Sequence, residues 1–235
     1  MSKKRYKDCR GKFVGKSLAL VLAGVLLVGG VISGTVAWLT DKTDEVTNVF
    51  TTSDIDITLQ EHTYDSDNDK LTNTETTTGV NNYKIVPGWT IPKDPWVTVE
   101  KGSEDCWVFI KVEEKGSAKV GGKNYGFDDF ITYQIDTANW TLLEGVEGVY
   151  YAKYENRDDV DINIKILAGG TYKGYAWQPN QVLTKPEVTK EMMNALNAQG
   201  AVKPTLTFTA YASQYWKNNT ESFTVKEAWE NVSAN

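Results

Sequence analysis

The sequence predicts an all-β fold, an antiparallel β-sandwich or barrel with two short helices, preceded by an apolar signal helix. Three observations lead there. Apolar and polar residues alternate with a period of two over much of the chain beyond residue 50, the pattern of strands with one buried face. The turn residues Pro87-Gly88, Gly121-Gly122, Gly145, Gly148 and Gly169-Gly170 cut this alternation into short pieces, and many short strands between such turns make sandwiches and barrels. Two further stretches carry apolar residues at helical spacing behind capping residues.

The amino end comes first. Lys3, Lys4, Arg5, Lys7, Arg10, Lys12 and Lys16 face the single acid Asp8, and a charge-free run follows from Ser17 to Thr40. A basic flank, an apolar middle and small residues at Thr35-Val36-Ala37 are the three parts of a secretory signal. The run also reaches the roughly 20 residues that cross a bilayer, so a retained anchor is the competing reading. Gly34, Thr35 and Ala37 admit a peptidase, which favours a cut between Ala37 and Trp38. Residues 1–37 are then signal, and the only part of the chain that meets a membrane. Without them 18 basic residues stand against 30 acidic ones, a net charge of −12. Such a chain is a poor ligand for nucleic acid or anionic lipid. All 8 Trp, 11 of 12 Tyr and 6 of 7 Phe remain, enough for a large core. Cys106 remains as the only cysteine, so no internal disulfide can form.

Residues 38–50, "WLTDKTDEVTNVF", carry the apolar anchors Trp38, Leu39, Val46, Val49 and Phe50, too irregularly spaced for an internal strand. Residues 51–235 form the folded domain. In "SDIDITLQE", Ile55, Ile57 and Leu59 share a face; in "CWVFIKVEE", Cys106, Val108, Ile110 and Val112 do, opposite Trp107 and Phe109. "DFITYQID", "GVYYAKY", "VDINIKILAGG" and "PTLTFTAYASQYW" continue the pattern, for eight or nine strands in all. Residues 64–82 are a polar excursion that predicts a mobile loop. The first helix lies in "TKPEVTKEMMNALNAQG", with Val188, Met192, Ala195 and Leu196 on one face. Either Thr184 with Glu187 or Thr189 alone caps it, and Gly200 ends it. The second is "TVKEAWENV", where Thr224 and Glu227 have capping-box spacing.

Asp65, Asp67 and Asp69 have the one-three-five spacing of a calcium loop, in which hard carboxylate oxygens surround a hard cation. Lys70 then occupies the Gly position and Thr76 the place of the bidentate Glu, so the three are weak calcium candidates at an acidic surface loop. His62 is the only histidine, an ordinary exposed residue beyond the first strand, and no H-E-x-x-H or G-x-S-x-G is present. Cys106 alternates with buried positions and reads as a small hydrophobe. These residues name no cofactor and no catalytic set, and they describe a binding or building protein.

Three segments carry a family resemblance. "GGVISGTVAWLTDKTDEVTNVFTTSDIDITL", "YKIVPGWTIPKDPWVTVEKGSEDCWVFIKVE" and "LTFTAYASQYW…FTVKEAWE" resemble the TasA/camelysin family of Gram-positive secreted proteins. The resemblance implies a jelly-roll sandwich over residues 51–235, and cleavage by a signal peptidase of SipW type. It also implies a place in the cell surface or biofilm matrix, and self-association into fibres through residues 38–50, with other matrix proteins as further partners. Camelysin is catalogued as a metallopeptidase, but no zinc motif here matches that activity. The expected function is therefore a secreted structural protein and not an enzyme. A camelysin-type peptidase and a monomeric surface-binding module are the alternatives.

Overall fold

The structure, a computed structural model, describes residues 55–77, 81–155 and 160–234 together with the backbone of 40–42. The chain divides into two units, Met1–Ala37 and Trp38–Asn235, and every described residue belongs to the second. The first six strands are β1 (Thr40–Lys42), β2 (Ile57–Asp65), β3 (Lys70–Thr76), β4 (Thr90–Pro92), β5 (Trp96–Val99) and β6 (Cys106–Val120). After β7 (Lys123–Gly126) and a 3-10 turn at Phe127–Asp129 come β8 (Ile131–Thr132), β9 (Gln134–Ile135), β10 (Thr141–Leu142) and β11 (Val149–Tyr154). Next are β12 (Ile162–Lys165), β13 (Leu167–Ala168), β14 (Gly170–Tyr172), β15 (Tyr175–Trp177) and β16 (Gln181–Thr184). Helix α1 (Lys190–Ala195), β17 (Val202–Gln214) and helix α2 (Val225–Ser233) complete the order.

All pairings are antiparallel. The largest sheet runs β1-β17-β6-β11-β10 with β7 added beside β6, and a second runs β12-β5-β2-β3. Smaller sheets are β4-β16-β8, β9 with β13, and β14 with β15. The predicted alternation explains how the two main sheets close on each other. Cys106, Val108, Ile110 and Val112 of β6, with Phe208, Ala210 and Ala212 of β17, meet Ile57, Val97 and Val99 of the second sheet in one buried core. The domain is an all-β sandwich with two short helices.

The opposite face of the large sheet is also covered. Phe109, Val149 and Tyr211 pack with Phe223, Ala228, Trp229 and Val232, so α2 closes a second core on the outside. Trp107 adds a peg there, its indole Nε1 donating to the carbonyl of Phe223 at 3.0 Å. Glycine matters most where the chain reverses between these strands. Gly121 and Gly122, with φ of 57° and 87°, form the two-residue link between β6 and β7, a turn that needs left-handed backbone at both positions. At Gly148 (φ 68°) a Cβ would come within 2.6 Å of the Val112 carbonyl.

Two expectations change, and a choice left open is decided. Strands are more numerous than the eight or nine expected, because some alternating runs break where the chain moves between sheets. "VDINIKILAGG" becomes β12 and β13 and leads into β14, each in a different sheet. Residues 64–82 hold a hairpin, not a loop: β2 and β3 pair from Glu61↔Thr76 to Asp65↔Lys70, with a register shift between His62 and Tyr64. The Thr-rich strand β3 has little apolar alternation, and that hid it. Of the two caps offered for α1, Thr189 is the one used, its side chain accepting from the Met192 amide, while Thr184 lies buried in β16.

The cap of α2 is as predicted. The Thr224 hydroxyl accepts from the Glu227 amide at 3.3 Å, and the Glu227 carboxylate accepts from the Thr224 amide at 2.8 Å. Lys217 donates to Glu227 at 2.7 Å, and this bond, then those from Thr224, hold the Glu227 carboxyl down at about 2. A carboxyl whose folded pKa is depressed adds stability above its ordinary 4.5 and loses it as the pH falls toward about 2. Glu227→Gln is therefore expected to flatten the fall in urea midpoint across that interval. An unchanged acid limb would show that the bridge contributes nothing, as exposed ion pairs often do.

Candidate functional site

Two places on the domain combine open geometry with unusual side chains. The first is the side of β17 that faces away from β6. Its thirteen residues pair with β6 along their length, and among the described residues β1 pairs with three of them on the other side, Thr40↔Ser213, Asp41↔Ala212 and Lys42↔Tyr211. Among the described residues no other strand lies on that side of β17. The cleavage residues Thr35, Ala37 and Trp38 and the anchors Leu39, Val46, Val49 and Phe50 lie outside the described residues.

The second is a cavity of about 820 Å³ between the β2–β3 hairpin, β17 and α1. Leu59, Ile85, Ile91, Met193, Leu206 and Phe208 give it an apolar wall. Glu61, Asn81 and Lys93 stand on the polar side. Lys93 is 8% exposed, rare for lysine. Its Nζ donates to Glu61 Oε2 at 2.7 Å and lies 5.7 Å from the centre of the Tyr83 ring and 5.8 Å from that of Phe208. Desolvating both charges of such a pair costs several kcal/mol that only close geometry and further hydrogen bonds offset. Asn81 supplies one of those bonds, its Nδ2 donating to Glu61 Oε1 at 2.8 Å. Sequence reasoning missed this group, whose members stand twelve and twenty residues apart with no motif between them.

The calcium candidates do not converge. Asp65 spends its carboxylate inside the hairpin turn, accepting from the amides of Asp67 and Asn68 and from Asn68 Nδ2. The bond from Asn68 Nδ2, then those amides, pull its pKa below the usual carboxylate range. Asp69 has left-handed backbone and accepts from the Tyr64 hydroxyl. Burial, followed by Asp69 and Asp65, pushes that phenol up to about 12. Among the described residues no three His, Cys, Asp or Glu side chains form a metal-holding group. Calorimetry is expected to show no calcium affinity tighter than about millimolar; micromolar binding that Asp67→Asn removes would reverse that assignment.

His62 is not the loose residue expected beyond the first strand. It sits within β2, its Nδ1 2.7 Å from Asp94 Oδ2 and its backbone amide donating to Asp94 Oδ1. The ring lies 5.1 Å from that of Trp96. Asp94 and Trp96 orient the imidazole within the sheet, a packing role. Cys106 is fully buried, and burial pushes its thiol well above the usual range. That fits the small hydrophobe read from its alternation.

No family model, curated protein or solved structure matches this chain. Among the described residues no helix is long and apolar enough to cross a membrane.

Proposed function

We propose that this chain is a secreted structural protein of the cell surface or biofilm matrix, cut after Ala37 and polymerising by strand addition. The observation that carries the reading is the pairing of β1 with β17. The strand occupies the third to fifth residues beyond the proposed cut. A strand of three residues is at the short limit for sheets. The same register is open to residues 38–50 of a neighbouring subunit, which would exchange one set of main-chain bonds for an equivalent one. The antiparallel sandwich is compatible with the jelly roll that the TasA/camelysin resemblance implies, and the basic-apolar-small order of residues 1–37 fits a secretory signal.

The test is to purify the secreted protein, sequence its amino terminus and examine it by electron microscopy. Fibres from a chain starting at Trp38 support the proposal. A chain that starts at Met1, or that stays monomeric at high concentration, removes it. The monomeric binding module is favoured by one observation, the 820 Å³ cavity, which falls in the size range of small-molecule sites. A monomer whose unfolding temperature rises with an apolar ligand, and not in Phe208→Asp, would select it.

A further inference from the structure

We propose that Lys93 and Asn81 join in an intramolecular isopeptide bond, formed by the protein itself with Glu61 as the proton carrier. Two side chains that rarely meet are held on the two oxygens of one carboxylate. Lys93 Nζ donates to Glu61 Oε2 at 2.7 Å, and Asn81 Nδ2 donates to Glu61 Oε1 at 2.8 Å. An amine and an amide are thereby brought to neighbouring atoms of one acid. Fixing two reactants in this way replaces a slow bimolecular encounter with an internal step.

The orientation of Asn81 is set by its partners. Its Nδ2 also donates to the His62 carbonyl at 3.1 Å, and its Oδ1 accepts from the Tyr64 amide at 2.9 Å. Two acceptors on one side and a backbone donor on the other allow only one placement of the amide nitrogen and oxygen. That placement suits the chemistry. The Tyr64 N–H points at the oxygen on which negative charge gathers when the amide carbon is attacked. The nitrogen that must leave faces the acid that can protonate it.

The surroundings complete the conditions. The Lys93 and Glu61 side chains are 11% and 16% exposed, and the Tyr83 and Phe208 rings flank the amine. In the first step a proton passes from the Lys93 ammonium to the Glu61 carboxylate, giving a neutral amine and a neutral acid. The free electron pair of Lys93 Nζ then attacks Asn81 Cγ, and Oδ1 takes the negative charge against the Tyr64 amide. A second proton passes from Nζ through Glu61 to Nδ2. The Cγ–Nδ2 bond breaks, the Nζ–Cγ amide remains, and ammonia departs with the proton first lent to Glu61. Glu61 ends as the carboxylate it began as, and no oxidant or other reagent enters. All three residues line the cavity, which gives the ammonia an exit.

The bond would close a ring over residues 81–93. It would fasten the segment leaving the β2–β3 hairpin to the end of β4, in a chain that keeps only Cys106 once residues 1–37 are removed.

Mass spectrometry of the full chain as the cell secretes it tests this directly. The folded protein is expected to weigh less than its processed sequence by one ammonia. Trypsin should release a branched species joining residues 71–84 to 85–101, with cleavage after Lys93 blocked and fragmentation placing the link at Asn81. Glu61→Gln and Lys93→Arg should each restore the full mass and the linear peptides. A full-mass wild type yielding linear 71–84 and 85–93 overturns the proposal. So does an ammonia loss that persists in Lys93→Arg, since that is backbone cyclisation at Asn81-Asn82. Cross-linking that survives in folded Glu61→Gln removes Glu61 as the carrier and with it the mechanism.

Discussion

A chain that begins at Thr51 is expected to remain folded and monomeric and to lose fibre growth altogether. The two cores of the sandwich explain the first half of that result. Among the described residues their buried members begin at Ile55. The described contribution of residues 38–50 to the sheet is the three-residue pairing of β1. The second half follows from what the deletion removes. Trp38, Leu39, Val46, Val49 and Phe50 would each be worth about 1.5–3 kcal/mol when buried against a neighbouring subunit. Losing several of them, with the main-chain bonds of an added strand, takes away more than a weak self-association supplies. Turbidity or electron microscopy of the truncated chain, mixed and unmixed with the intact one, reads the outcome. Fibres growing at the intact chain's rate would exclude the assembly strand. A truncated chain that unfolds would instead make residues 38–50 an integral part of their own domain.

The second large effect is expected on the outer face. Trp229 is 9% exposed, and its ring centre lies 5.4 Å from that of Phe109 and 5.3 Å from that of Tyr211, edge-on to the latter. Trp229→Ala should cost roughly 3–5 kcal/mol, the range for truncating a buried aromatic. It should also lift α2 off the sheet, because Val225, Ala228 and Val232 are small and leave little to hold a nine-residue helix. Urea unfolding measures the cost, and near-ultraviolet circular dichroism reads the loss of the aromatic cluster. A loss below about 1 kcal/mol would mean that α2 is held elsewhere. Thr224→Ala, which removes only the cap, is expected to cost about 1 kcal/mol and so calibrates the larger change.

Much of this architecture was legible in the residue order, for identifiable reasons. Cys106, Val108, Ile110 and Val112 share a face because a strand has a period of two, and the sheet needs that face apolar. Thr224 and Glu227 announced α2 because a capping box is local chemistry, complete within four residues. What stayed hidden depended on partners distant in sequence. Trp107 and Phe109, on the far side of β6, gave no sign that a helix a hundred residues later would cover them. The β2–β3 hairpin escaped because Lys70–Thr76 has Leu71 as its single apolar residue. The group of Glu61, Asn81 and Lys93 comes from three separate segments, and nothing local marks a glutamate, an asparagine or a lysine as buried.

The placement of Cys106 has a practical consequence. Its backbone is bracketed by Tyr154 on one neighbouring strand and Gln214 on the other, and its side chain is fully enclosed. In the chain from Trp38 onward it is the only thiol. A reagent that consumes free thiols can thus reach it only in the moments when the sandwich opens. The labelling rate becomes a clock for those openings, read at a single atom in the middle of the molecule. Comparing that rate in subunits free and within a fibre would report whether assembly quiets the breathing of the sheet.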